Sequence, residues 1–122
     1  MAYCNRGLAN MELGRYDEAL MDYVIAIDHD PKLTYCYFDR GSLYLTLAQY
    51  QKAIGDFSEA LKERPSDPVT LTRRAQAYEA IGQKAEALDD FRAALDASPK
   101  LESAQEGFDR IMSEQQRSDG QK

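Results

Sequence analysis

Pro31, Pro65 and Pro99 stand 34 residues apart, and the rest of the chain keeps the same beat. Small residues recur at that interval in three columns: Gly7, Gly41 and Ala75, then Ala19, Ala53 and Ala87, then Ala26, Ala60 and Ala94. An aromatic column runs Tyr23, Phe57, Phe91; branched apolar columns run Leu13, Leu47, Ile81 and Leu20, Ile54, Leu88. A single proline spacing can arise by chance, but this many independent columns cannot. A fixed period of this length marks one supersecondary unit repeated along an axis, each copy burying its apolar face on its neighbours.

Each unit reads as two helices. In the second unit Tyr37, Gly41, Tyr44 and Leu47 follow one another at helical spacing, which puts them on one face. A break follows at Ala48-Gln49-Tyr50, and Ala53, Ile54, Phe57, Ala60 and Leu61 mark a second helix. That helix is expected to stop before Pro65, because a proline biases the preceding Arg64 away from helical geometry. Asp67 followed by Pro68 is a start signal, an N-cap and a first-turn proline. Gly14 and Gly82 fall between paired helices, where a residue tolerant of positive φ can end the first one. Gly41 and Ala60 would let two backbones approach, with Phe57 and Tyr44 filling the space beside them.

A 34-residue helix-turn-helix unit with these small and aromatic columns resembles the tetratricopeptide repeat family. The resemblance implies an all-α chain, a right-handed α-solenoid of three hairpins plus a C-terminal capping helix. The units are expected at 1–33, 34–67 and 68–101. Leu101, Ala104, Phe108, Ile111 and Met112 form an apolar stripe that reads as the capping helix over 102–112, with 113–122 a disordered tail. Two positions depart from the family pattern. The aromatic slot late in the first helix holds Asn10 in the first unit, and the tyrosine opening the second helix (Tyr16, Tyr50) becomes Lys84 in the third. The first helix starts almost at Met1 with no cap and with apolar Ala2 and Tyr3 in its first turn. Either the array continues in a longer protein or that end pairs with a second copy, giving a homo-oligomer.

Charge and composition narrow the function by exclusion. A net charge of −6 argues against a phosphate-backbone partner, which needs clustered Lys and Arg, so no nucleic acid is expected. The chain contains no apolar run of the roughly 18 residues that a membrane span requires, so no membrane partner is expected. No charged segment followed by an apolar stretch opens it, so no secretory signal is expected, and cytoplasm is the default compartment. Cys4 and Cys36 lack metal-ligand spacing and read as structural thiols. His29, the one histidine, sits near a helix end where it can face the last carbonyls. No nucleophile–base pair, glycine-rich phosphate loop or metal cluster is legible, so neither an enzyme nor a cofactor is expected.

Two constellations remain. Arg6, Arg40 and Arg74 keep step with Asp22, Asp56 and Asp90, which predicts an ion pair bridging the two helices of each hairpin. The family resemblance supplies the other: a concave groove lined by the first helices. In the first unit it implies Cys4, Asn5, Leu8, Met11 and Glu12, and in the second Tyr35, Phe38, Asp39, Ser42 and Leu45. In the third it implies Thr72, Arg73, Gln76 and Glu79. One subfamily clamps two carboxylates of a chaperone tail with a Lys and an Asn on the first helix, an Asn on the third and a Lys/Arg pair on the fifth. The matching positions are Cys4, Leu8, Asp39, Val69 and Arg73, of which Arg73 alone fits, so that ligand is not expected. The family's asparagine ladder is also missing, its column reading Asn5, Asp39, Arg73. The expected function is a protein-interaction scaffold or adaptor for a peptide or partner helix. The alternative is a spacer in a longer solenoid, self-associating through its uncapped end.

Overall fold

The computed structural model describes residues 3–120. Seven helices follow one another: α1 (Tyr3–Glu12), α2 (Tyr16–His29), α3 (Thr34–Thr46), α4 (Tyr50–Glu63), α5 (Pro68–Ala80), α6 (Lys84–Ala97) and α7 (Glu102–Gly120). They form two compact units, residues 1–63 with α1–α4 and residues 64–122 with α5–α7. Met1 and Ala2, on which part of the uncapped-end expectation rested, lie outside the described residues.

The same turn closes all three hairpins. Gly14, Ala48 and Gly82 take φ values of 79°, 59° and 82°. The next amide donates back five residues, Arg15 to Asn10, Gln49 to Tyr44 and Gln83 to Tyr78, at 2.8, 2.8 and 2.9 Å. This left-handed closure satisfies carbonyls that the helix end would otherwise strand. Between hairpins the stop is chemical: Asp67 accepts from the Thr70 amide at 3.1 Å, and Pro68 opens α5.

In the first unit Cys4, Ala19, Tyr23, Ala26, Ile27, Cys36 and Leu43 make a buried cluster. Gly7 meets the Tyr23 ring and Gly41 the Phe57 ring so closely that an added Cβ would overlap either one. In the second unit Leu71, Ala75, Ala77, Ala87, Phe91 and Ala94 are buried with Ala104 and Ile111 of α7. The closest approach there is Gly107 against the ring of Phe91, where no side chain would fit. Gly107 thus lets α7 lie down on α6.

The terminal helix is longer than the sequence pattern indicates. It continues past Met112 to Gly120, so the disordered tail expected from residue 113 is not what the structure shows. Two ion pairs tie this helix to the elements before it, one of them beyond the apolar stripe. Glu114 pairs with Lys84 at the start of α6, and Arg110 makes a two-pronged pair with Glu79 of α5. Lys84, the residue that departs from the tyrosine column, is therefore one of the ties that hold α7.

Candidate functional site

Arginine on the first helix meets aspartate on the second in every hairpin. Arg6 Nη2 lies 2.6 Å from Asp22 Oδ1, Arg40 Nε 2.8 Å from Asp56 Oδ2, and Arg74 Nε 2.7 Å from Asp90 Oδ2. Each uses two guanidinium nitrogens, so the fork fixes the rotation of one helix against the other. The hydrogen bond to its aspartate raises the pKa of each arginine above the ordinary value. Asp22 is held below the usual carboxylate range, first by the Arg6 hydrogen bond and further by the Asn10 amide, which donates to it at 2.9 Å.

The surroundings of the three arginines differ. Arg40 carries two tyrosine rings, Tyr37 and Tyr44, with centroids 5.8 and 5.7 Å from its Cζ. Arg74 has Tyr78 at 5.7 Å, and Arg6 has Tyr3 at 5.0 Å. The Tyr3 ring in turn stacks on His29, centroids 6.1 Å apart, which gives that histidine an aromatic neighbour at the end of α2.

The expected groove residues divide by exposure. On α1, Asn5 and Leu8 are exposed and Met11 half-buried; on α3, Tyr35 is exposed while Phe38 and Asp39 are half-buried. Phe38 also packs on Phe57, ring centroids 6.0 Å apart, so part of it belongs to the hairpin interior. Arg73 and Gln76 on α5 are half-buried. Ser42 and Thr72 must be withdrawn as ligand contacts. Both are buried, and their hydroxyls donate to the carbonyls of Phe38 and Pro68 on their own helices, at 2.9 and 2.7 Å. With its proton committed to the carbonyl four residues back, each hydroxyl keeps only acceptor capacity, and burial withholds that from a partner. Glu79 is taken up by Arg110.

Cys4 requires a second correction. It is buried rather than groove-lining, and it forms a disulfide with Cys36, their Cα atoms 5.8 Å apart, so neither is a free structural thiol. The Cys4 sulfur also lies 3.7 Å from Asp39 Oδ2. The signal was present in the sequence: a separation of 32 residues is close to one repeat, which places both on adjacent first helices. No cluster of three or more His, Cys, Asp or Glu side chains placed to hold a metal occurs among the described residues. No helix among them is long and apolar enough to cross a membrane.

Family models of the tetratricopeptide repeat match residues 1–33 and 38–102. The chain belongs to the tetratricopeptide repeat family. It is an all-α scaffold of helix-turn-helix pairs with an added terminal helix. Among solved structures, the first tetratricopeptide domain of Spaghetti (RPAP3), bound to the HSP90 peptide SRMEEVD, is 26% identical. It aligns over 92% of this chain and 89% of its own length, with a TM-score of 0.88. The tetratricopeptide domain of Arabidopsis OM64 is 25% identical over 93% of both chains, TM-score 0.87. The second such domain of human RPAP3, in complex with the HSP70 peptide SGPTIEEVD, is 25% identical over 91% and 92%, TM-score 0.85. Among curated protein sequences none matches this chain.

Proposed function

We propose that this chain is a protein-binding scaffold that holds an extended peptide or a partner helix against the exposed face of its first helices. The observation that carries the reading is the apolar pair Leu8 and Tyr35, 38% and 54% exposed on the first helices of consecutive hairpins. Apolar groups left in water on adjacent helices gain by covering, and an aromatic anchor gives much buried area for few frozen torsions. Asn5 and Met11 lie on α1 with Leu8, and Phe38 and Asp39 on α3 with Tyr35; in the second unit, taken by itself, Arg73 and Gln76 on α5 are the candidate contacts. Relatives that hold chaperone-tail peptides support the mode of binding. Their ligand does not transfer: the first unit offers a disulfide-bonded Cys4, an apolar Leu8 and an acidic Asp39 where a carboxylate clamp needs donors.

The test is selection of peptides from a displayed library on the immobilised chain, followed by titration against the Leu8→Asp/Tyr35→Ala double variant. Loss of at least tenfold in affinity is expected (about 1.4 kcal/mol or more), with the helical circular dichroism and its melting temperature retained. Peptides that bind both forms equally would remove the α1/α3 face as the binding surface.

A further inference from the structure

The first hairpin carries a pocket of about 370 Å³ between α1 and α2, lined by Arg6, Asn10, Glu18, Met21, Asp22 and Ile25. It lies where the repeat pattern has lost a ring. The positions equivalent to Asn10 are Tyr44 and Tyr78, and in the other hairpins those tyrosines sit against Arg40 and Arg74. Asn10 is too short to do the same, and the Arg6 side chain is 61% exposed against 18% and 22% for Arg40 and Arg74. The opposite wall has changed in a complementary sense. Met21 and Ile25 stand where the second hairpin has Gly55 and Glu59 and the third has Asp89 and Ala93. The first hairpin alone therefore combines a missing aromatic side chain, an exposed guanidinium and two added apolar side chains.

From this juxtaposition we propose that the α1/α2 pocket is a second docking site, and that it takes a tyrosine side chain from a basic segment of a partner protein. The guanidinium of Arg6, which has the Tyr3 ring at 5.0 Å, meets the electron-rich face of a second ring, as Arg40 meets both Tyr37 and Tyr44. Met21 supplies a polarisable thioether and Ile25 methyl groups for the ring to rest on. Glu18 at the rim accepts a hydrogen bond from the phenol hydroxyl. Charge selects the partner. With Arg6 paired to Asp22, the exposed acids Asp17 and Glu18 outnumber exposed Arg15 on a chain of net charge −6, which attracts a basic segment and repels a second copy. The site is separate from the α1/α3 face, so either can fail without the other.

Two probes test it by NMR: p-cresol, which is the tyrosine side chain alone, and a basic nonapeptide with one central tyrosine. Both should shift the Met21 and Ile25 methyl signals upfield in a saturable way, the peptide binding about tenfold more tightly than p-cresol. The peptide with alanine in place of tyrosine should leave those signals unmoved. Asn10→Tyr supplies the ring from within and should abolish the shifts, while Asn10→Ala keeps them. Met21→Ser, on an exposed side chain, should weaken binding severalfold and leave the fold intact. Shifts that persist in Asn10→Tyr, or that scatter over the protein without saturating, overturn the site. A dimer of the chain alone that Asn10→Tyr dissociates would overturn the choice of partner in favour of a second copy.

Discussion

Tyr23 is the residue whose chemistry fits its place least well. Its ring is fully buried at the position occupied by Phe57 and Phe91 in the other hairpins, and its hydroxyl has no hydrogen-bond partner among the described residues. A buried donor left unmade costs about 1–3 kcal/mol. Tyr23→Phe should therefore stabilise the chain by about 1 kcal/mol or more, read as a higher urea midpoint with an unchanged slope. Burial also pushes the phenol pKa well above its ordinary 10.0. The sign follows: the neutral phenol is favoured in the folded state, so this contribution is complete below pH 10 and fades as pH rises towards the folded value. Alkaline unfolding should accordingly move to higher pH in Tyr23→Phe. Ala48 is the second misfit, a residue with a Cβ at φ 59° where its counterparts are Gly14 and Gly82. Ala48→Gly removes a left-handed penalty of about 1–2 kcal/mol at the expense of extra unfolded-chain entropy. A net gain of about 0.5–1 kcal/mol is expected, and a lower melting temperature in that variant would contradict the strained-turn account.

At the scale of elements, the hairpins share one ion-pair design with unequal burial. Both carboxylates are nearly buried, the Asp22 side chain 5% and the Asp56 side chain 8% exposed, but Arg40 lies beside two tyrosine rings. Removing the guanidinium leaves a carboxylate in a dry site, which costs about 3–5 kcal/mol. Asp22 keeps its Asn10 hydrogen bond when Arg6 is removed, and Arg6 is largely in water. Arg40→Met should thus destabilise the chain more than Arg6→Met in matched urea titrations, because Asn10 still serves Asp22 and the Arg40 side chain is itself largely buried; equal losses would mean that neither difference matters. The paired state of Asp22 also carries a pH signature. Its lowered pKa makes its contribution complete above the ordinary value of 3.8 and lost as pH falls through the folded value. Part of the acid unfolding should therefore disappear in Asp22→Asn.

The hairpins were legible in the sequence because their determinants are local and repeated: the proline stops, the Asp67-Pro68 start and the Gly14 and Gly82 turns each act within a few residues. The arginine–aspartate column was legible for the same reason, since a constant separation of 16 residues brings each pair across one hairpin. Features that depend on where a side chain turns were not. Ser42 and Thr72 fall on the right helices, yet their hydroxyls bond backward, a rotamer choice that spacing does not encode. The extent of α7 was missed because its apolar stripe ends at Met112, while the tie beyond it, Glu114 to Lys84, joins residues 30 apart that no local pattern connects.

On the proposed peptide-binding role, the ligand class of the whole molecule turns on the same distinction between fold and side chains. This chain shares its fold with domains that hold peptides ending in EEVD, but an acidic tail needs fixed donors, and the first unit supplies none at the matching positions. Cys4 is buried in a disulfide, Leu8 is apolar, and Asp39 adds a negative charge to a chain already at −6. A carboxylate brought beside another carboxylate is repelled unless a cation lies between them. Fluorescently labelled SRMEEVD should therefore show no saturable polarisation change with this chain at low ionic strength, where attraction between exposed charges is strongest. Asp39→Asn should increase the residual binding, and the increase should shrink as salt is added. Saturable binding of the acidic peptide to the unaltered chain would show that donors elsewhere replace the clamp, and would move the ligand class back to that of the relatives.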